Sequence, residues 1–180
     1  YKDEVREIGH ELGLPDRFLQ RHPFPGPGLA IRCLCSSHDS PLIQTDAIES
    51  AEAWVLPIRS VGVQGDSRSY RHALAIDALP TMELIRNTAP ALTNRRSDIN
   101  RVVAVCGANA PLHSLTMLEA YLTKERLHLL RQADAVVRLF CEETKFENQV
   151  WQFPVVLIPI GTQSARDAVV LRPVGSIDGM

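Results

Sequence analysis

The sequence predicts an α/β protein of the α+β type, with two related subdomains in which a small β-sheet is packed by helices. Three observations carry this. Residues 2–14 and 124–142 place apolar side chains at helical spacing. Four apolar runs of strand length, at 54–63, 70–78, 155–160 and 167–174, are separated pairwise by turn residues. They form two hairpin units about 100 residues apart. Val55-Leu56-Pro57-Ile58 with Ala73-Leu74-Ala75-Ile76 is echoed by Val156-Leu157-Ile158-Pro159-Ile160 with Ala168-Val169-Val170-Leu171. The echo fits an internal duplication, and two short apolar hairpins can also agree by chance.

The elements follow in order. In the first helix Val5, Ile8 and Leu12 share a face, acids occupy the first turn, and Gly13 followed by Pro15 stops it. A short helical turn is expected over Asp16 to Gln20. The run His22-Pro23-Phe24-Pro25-Gly26-Pro27-Gly28-Leu29-Ala30-Ile31-Arg32 comes next. Its prolines fix φ near −65° and its glycines permit positive φ, so it can hold a rigid loop of small bulk close to a ligand or a neighbouring domain. Such runs are often linkers; the helix stop before it and the apolar Leu29-Ala30-Ile31 after it favour a structured hinge.

Residues 36–50 are polar and without period, and read as a loop. The strand over 54–63 carries Pro57, which suits an edge. The segment Val61 to Ser69 turns sharply into the return strand. A helix is expected over 80–93, a short strand over 101–105, and the long helix over 124–142, apolar at Leu127, Leu130, Ala133, Val136, Val137 and Phe140. That helix exits into Trp151-Gln152-Phe153-Pro154 and the second hairpin.

With 180 residues the chain can bury one substantial core or two small ones. A net charge of −2 argues against nucleic acid or a membrane surface as partner, and no window approaches a membrane span. Tyr1-Lys2-Asp3 reads as a chain entered mid-fold, without a secretory signal. Cys33, Cys35, Cys106 and Cys141 have no metal-ligand spacing, and His72, His113 and His128 add none, so no metal site is expected. Buried reduced thiols in a cytoplasmic protein are the expected state.

The chain resembles the GMP synthetases, glutamine-hydrolysing enzymes that convert xanthosine monophosphate (XMP) to GMP. The matching residues are Lys2-Asp3-Glu4-Val5-Arg6, Glu11-Leu12-Gly13-Leu14-Pro15, His22 to Arg32, Leu56-Pro57-Ile58, Val61 to Asp66, and Ser69-Tyr70. Asn100-Arg101-Val102-Val103, Leu130-Arg131-Gln132-Ala133-Asp134 and Gln152 with Pro154-Val155 also fit. The resemblance implies a parent with a glutaminase, an ATP-pyrophosphatase domain that adenylates XMP so that ammonia can displace AMP, and a carboxy-terminal dimerisation domain. Residues 1–21 then end the ATP-pyrophosphatase domain, 22–111 hold the hinge loop and first carboxy-terminal subdomain, and 112–180 a second, incomplete one. Two such subdomains characterise the longer form common in eukaryotes. The family's Ser-Gly-Gly-Val-Asp-Ser phosphate loop, its amidotransferase nucleophile and histidine, and its Lys-Pro-Pro-x-Thr-x-Glu-Trp-Glu tail have no match in these residues. ATP and magnesium would be bound by other parts of the parent, and this segment alone is expected to be inactive.

Gly65-Asp66-Ser67-Arg68-Ser69 offers a flexible turn, a carboxylate, a guanidinium and hydroxyls, the parts of a phosphate site. From the residues alone the hairpin turn, with Asp66 bonding its own backbone, is the favoured reading. The resemblance makes Asp66 an XMP contact, with Arg68 and Ser69 near the phosphate. It also makes Gln152 an XMP contact, where a primary amide suits a purine edge carrying both carbonyl and N–H groups; otherwise Gln152 is a polar residue at a helix-to-strand joint. It places Lys2 near the nucleotide phosphates, whereas a lysine at a helix start is ordinarily just solvated. His22 reads as fixing the hinge loop, with Pro23 to Gly28 lining an interdomain groove through backbone atoms. Arg131, Gln132 and Asp134 read as a packing or interface cluster. The expected partners are XMP, ATP and glutamine for the parent, and a second copy or an internal pseudo-dimer for this region. The competing readings are a ligand-free dimerisation module, which has no need of the Gly65–Ser69 turn, and a NAD synthetase, which would lack His22 to Arg32.

Overall fold

The computed structural model describes residues 2–19, 28–48, 51–64, 67–77, 82–107 and 110–175. It has the mixed α+β character that the sequence predicts, with small sheets packed by helices. The chain forms two compact units that interleave in sequence. One comprises Tyr1–Leu34, Leu122–Ile158 and Val169–Met180, the other Cys35–Tyr121 and Pro159–Ala168.

In the first unit, helix α1 spans Lys2–Glu11 and α2 spans Asp16–Leu19. Gly13 takes a positive φ of 72° and ends α1, the conformation its lack of a Cβ permits. Arg6 Nε donates to Leu19 O at 3.1 Å and ties the two helices. The apolar face of α1 is exposed at Val5, Ile8 and Leu12. Helical periodicity says which residues share a face; it does not say what covers them.

Helix α4, Lys124–Thr144, starts at Thr123, whose Oγ1 accepts from Arg126 N at 3.3 Å, and ends at Lys145 in the left-handed region at φ 55°. The sequence places this helix within two residues of its ends. It buries Leu130 against Cys33, Val155 and Leu157, with Leu127, Ala133 and Val137 alongside. Strands β7 (Val155–Ile158) and β9 (Ala168–Leu171) form a two-stranded sheet beside it.

The second unit is built on a four-stranded sheet of β2 (Ile43–Ile48), β3 (Ala51–Gln64), β4 (Ser67–Asp77) and β5 (Ile99–Ala104), in that order. Strands β2, β3 and β4 are antiparallel neighbours. Helix α3 (Met82–Arg95) is the crossover that returns β5 parallel to β4. Ala53, Val55, Leu74 and Ile99 form the core, with Leu92 of α3 packed against it. Their neighbours Trp54, Leu56, Ala73 and Ala75 are buried too, so the central strands are covered on both faces. This explains their near-continuous apolar sequence. A smaller sheet holds β1 (Ser40–Pro41), β6 (Thr116–Met117) and β8 (Ile160–Gly161).

Three expectations are corrected. The loop read over 36–50 contains β1 and β2, because residue pairs such as Ile43 with Val55 supply the hydrogen bonds that a local pattern cannot reveal. The single strand read over 155–160 is two, split at Pro159. Proline has no N–H to give a ladder, and the chain passes there from β7 to β8 in a different sheet. The second hairpin is therefore much shorter than the first. Finally, only Cys33 and Cys141 are buried; Cys35 and Cys106 are exposed, and all four are thiols outside any disulfide. Burial, with the Glu147 carboxylate nearby, pushes the Cys141 thiol up, so it is a poor nucleophile.

Pro57 sits inside β3 rather than at its end, and the β3–β4 register shifts between Leu56 and Arg59 to accommodate it. His72 fills the irregularity: its Nδ1 lies 3.1 Å from Leu56 O and 3.2 Å from Ile58 O. Both carbonyls only accept, which assigns the proton to Nδ1.

Arg96 and Asp98, between α3 and β5, form a two-bond pair at 3.1 and 2.7 Å. The guanidinium hydrogen bond holds the Asp98 carboxyl below the usual aspartate range. A lowered folded-state pKa contributes stability that is present at neutral pH and lost as pH falls through the lowered value. Asp98→Asn is accordingly expected to flatten the acid limb of the stability curve slightly, because the pair is half-exposed and solvent-screened. Urea unfolding at neutral and acid pH measures this; an unchanged acid limb refutes it.

Candidate functional site

The residues singled out from the sequence fall in both units. Asp66, with Gly65, lies outside the described residues, as do His22, Pro23, Phe24, Pro25, Gly26 and Pro27. Gly28 is half-buried, and an added Cβ would meet the Ile31 side chain at 3.1 Å. Lys2 begins α1; its side chain is outside the described set. Arg68 is exposed on β4 and Ser69 beside it is half-buried, both in the second unit. Gln152 belongs to the first unit.

Gln152 sits where the helix-to-strand joint is pinned by backbone bonds. Trp151 N donates to Val174 O at 2.8 Å and Val174 N to Gln152 O at 2.9 Å. Its side chain is buried, with 8% of the residue exposed, and its Oε1 has no hydrogen-bond partner among the described residues. A buried carbonyl left without a donor costs about 1–3 kcal/mol. A joint residue placed only for solubility would turn outward, so the orphaned amide oxygen marks this position as one where a donor is wanted.

Close by in sequence, Val155 is tied to a buried ion pair. Arg32 Nη1 donates to Asp134 Oδ1 at 2.6 Å and to Val155 O at 3.2 Å, and the exposed Arg138 reaches Asp134 Oδ2 at 2.9 Å. The side chains of Arg32 and Asp134 are only 7% and 15% exposed. Of the expected Arg131, Gln132 and Asp134 cluster, Asp134 is thus a packing residue, while Arg131 and Gln132 are exposed. Three separated segments, the end of the proline-glycine run, the long helix and β7, meet in this pair.

The second unit holds a comparable brace that sequence reading missed. Asn100 Nδ2 donates to Ser60 O at 2.7 Å and to Ser69 O at 3.2 Å, while Ser60 Oγ donates to Asn100 Oδ1 at 2.8 Å. Arg101 Nη2 donates to Val61 O at 2.8 Å. These two residues hold the β3–β4 ribbon just short of Arg68. The sequence signal was the adjacent pair Asn100-Arg101 opening an apolar strand, where polar side chains need a partner.

No family model matches the chain. Curated relatives match it along its whole length. It is 38% identical over 189 aligned residues to a protein of Leptospira interrogans serogroup Icterohaemorrhagiae serovar copenhageni (strain Fiocruz L1-130) named "Probable GMP synthase (glutamine-hydrolyzing)", covering 100% of this chain and 31% of the relative. A Caenorhabditis elegans protein of the same name is 30% identical over 258 aligned residues, covering 100% of this chain and 34% of the relative. The chain is homologous to the GMP synthases. It spans about a third of the length of these relatives. The GMP synthase of Bartonella henselae (strain ATCC 49882 / DSM 28221 / CCUG 30454 / Houston 1) matches differently, at 40% identity over 132 residues that take in only 57% of this chain. GMP synthases thus differ in how much of this region they share.

Among the described residues no group of three His, Cys, Asp or Glu is arranged to hold a metal ion, and no helix is long and apolar enough to cross a membrane.

Proposed function

We propose that this chain is the carboxy-terminal part of a GMP synthase and contributes contacts to the XMP that the parent enzyme converts to GMP. In this reading residues 1–21 end the ATP-pyrophosphatase domain, and 22–111 and 112–180 form two carboxy-terminal subdomains of the longer family form. ATP, magnesium and glutamine are handled by other parts of the protein, and this segment alone is inactive.

The observation that carries the reading is the buried Gln152, whose carbonyl oxygen has no partner among the described residues. A purine dione presents N–H groups beside its carbonyls, and a primary amide answers both with one side chain. Asp66, Arg68 and Ser69 serve the same ligand from the Gly65–Ser69 turn, and Lys2 lies near the phosphates. His22 to Gly28 line the groove between domains. These residues bind and orient; the chemical steps belong to the adenylating domain of the parent.

The test is GMP formation by the full-length protein from XMP, ATP and glutamine, comparing Gln152→Ala and Asp66→Ala with the unaltered enzyme. Removing a hydrogen-bonding partner of the bound base is expected to raise KM for XMP roughly tenfold or more, with KM for ATP unchanged. Active variants with an unaltered KM for XMP would remove this region from the substrate site, and a well-folded parent that makes no GMP would end the reading altogether.

A second reading, assembly without a ligand, is favoured by one feature. Val136, Leu139 and Phe140 leave an apolar face of α4 exposed, Val136 at 68%. A module of this kind would pair copies, or its own two subdomains, and leave KM for XMP indifferent to Gln152.

A further inference from the structure

The β3–β4 ribbon runs past the end of the strand that supports it. β5 joins β4 from His72 onward, whereas β3 and β4 continue pairing through Gly62 with Ser69, Val63 with Arg68 and Gln64 with Ser67. A two-stranded ribbon is marginal by itself in water and its direction is poorly defined. Here it is gripped at its base from one side. Asn100 Nδ2 holds Ser60 O and Ser69 O, one carbonyl from each strand, and reaches Ser69 Oγ at 3.4 Å. Its Oδ1 accepts from Ser60 Oγ, which in turn accepts from Arg101 Nε at 3.3 Å.

The fit is tight enough to dictate a second residue. A Cβ on Gly62 would stand 2.9 Å from both Cβ and Nδ2 of Asn100, so the amide lies on the bare backbone of the Gly62–Ser69 pair. Only a primary amide can donate to two carbonyls while accepting from a hydroxyl; aspartate would set a carboxylate against those carbonyls. The grip therefore has a chemical specification that packing alone does not require.

We propose that Asn100, seated on Gly62, is a positioning residue that aims the Arg68–Ser69 end of the ribbon at the phosphate of a bound nucleoside monophosphate. The inference rests on the substrate-site reading above. Arg68 is exposed and carries the guanidinium, Ser69 supplies hydroxyl and backbone, and Asn100 holds Ser69 directly and Arg68 through it, without touching the ligand. A flexible tip would lose affinity to the entropy of ordering it at each binding event.

The experiment uses the full-length protein and steady-state kinetics with XMP, ATP and glutamine. Asn100→Ala is expected to raise KM for XMP roughly tenfold, with kcat and KM for ATP within about twofold of the parent. Gly62→Ala should reproduce that signature by displacing the amide from below. An Asn100→Gly, Gly62→Ala double variant has neither the Cβ nor the amide at position 100 to meet the added methyl, so it should be no worse than Asn100→Gly alone. Gly62→Ala decides the matter if Asn100→Ala does not fold. An unchanged KM for XMP, or equal losses in kcat and KM for ATP, overturns the positioning role. Arg68→Ala and Gln152→Ala separate the two levels: if they raise KM for XMP and Asn100→Ala does not, the positioning role alone fails. If none of them does, the substrate-site reading fails and takes this proposal with it.

Discussion

Replacing Asp134 by alanine is expected to destabilise the first unit by about 3–5 kcal/mol, the characteristic loss when one partner of a buried ion pair is removed. Arg32 would keep its charge in a site that is nearly closed to water, with Val155 O still accepting from it. The penalty comes from that stranded guanidinium more than from the lost attraction. Two controls make the argument specific. Arg138→Ala removes an exposed partner four residues along α4 and should change stability by under about 0.5 kcal/mol. A double variant, Arg32→Met with Asp134→Leu, should recover most of the loss, because no charge is left behind. Amide hydrogen exchange on peptides covering α4 and β7 reads the effect within the full-length protein. An Asp134→Ala variant that exchanges like the parent would show that water reaches Arg32 and that the pair is not buried in solution. A double variant as unstable as the single one would show that the pair matters for its geometry and not its charge.

The second large effect is expected at Gly161, the last residue of β8. A Cβ there would overlap the carbonyl oxygen of Ala165 and crowd the backbone of Arg166. Thr162 N donates to Ala165 O at 3.0 Å, and Ala165 N to Thr162 Oγ1 at 3.2 Å, so the chain doubles back directly over the glycine. The obstacle is backbone that cannot rotate out of the way, unlike the end of a side chain. Gly161→Ala must open this turn, which also carries Arg166 to its bond with Glu119 O at 3.0 Å. A loss of about 3 kcal/mol is expected, at the upper end for overpacking. Faster exchange confined to β6, β8 and residues 162–168 would identify the turn as the cause. Protection equal to that of the parent would mean that the turn can relax at little expense and that space does not dictate this glycine.

Elements with a local cause were legible in the chain. Thr123 before Lys124, and the apolar spacing through Leu127, Leu130, Ala133 and Val137, defined α4 to within two residues because a helix closes its hydrogen bonds within itself. Gly13 defined the end of α1 for the same reason. Gln152 was legible as a candidate through its family match, and its burial adds a physical motive that no spacing could supply. Elements with a distant cause were not legible. β2 exists because Ile43, Gln44 and Thr45 find Val55, Trp54 and Ala53, and its own residues are mostly exposed. The split at Pro159 was hidden because Val155 to Ile160 is apolar throughout, although its two parts serve different sheets.

By itself, then, the sequence determined the helices, the long β3–β4 hairpin, the mixed α+β class and the kinship with GMP synthases. Each of these depends on residues close together in the chain or on motifs kept in order. Tertiary structure alone decided that Cys35–Tyr121 forms a compact unit while the residues before and after it close on one another. It also decided that Arg32 would pair with Asp134 and that Asn100 would lie on Gly62. Hydrogen bonds and ion pairs act over a few ångströms, and nothing in a one-dimensional pattern says which distant residues folding will bring within that reach.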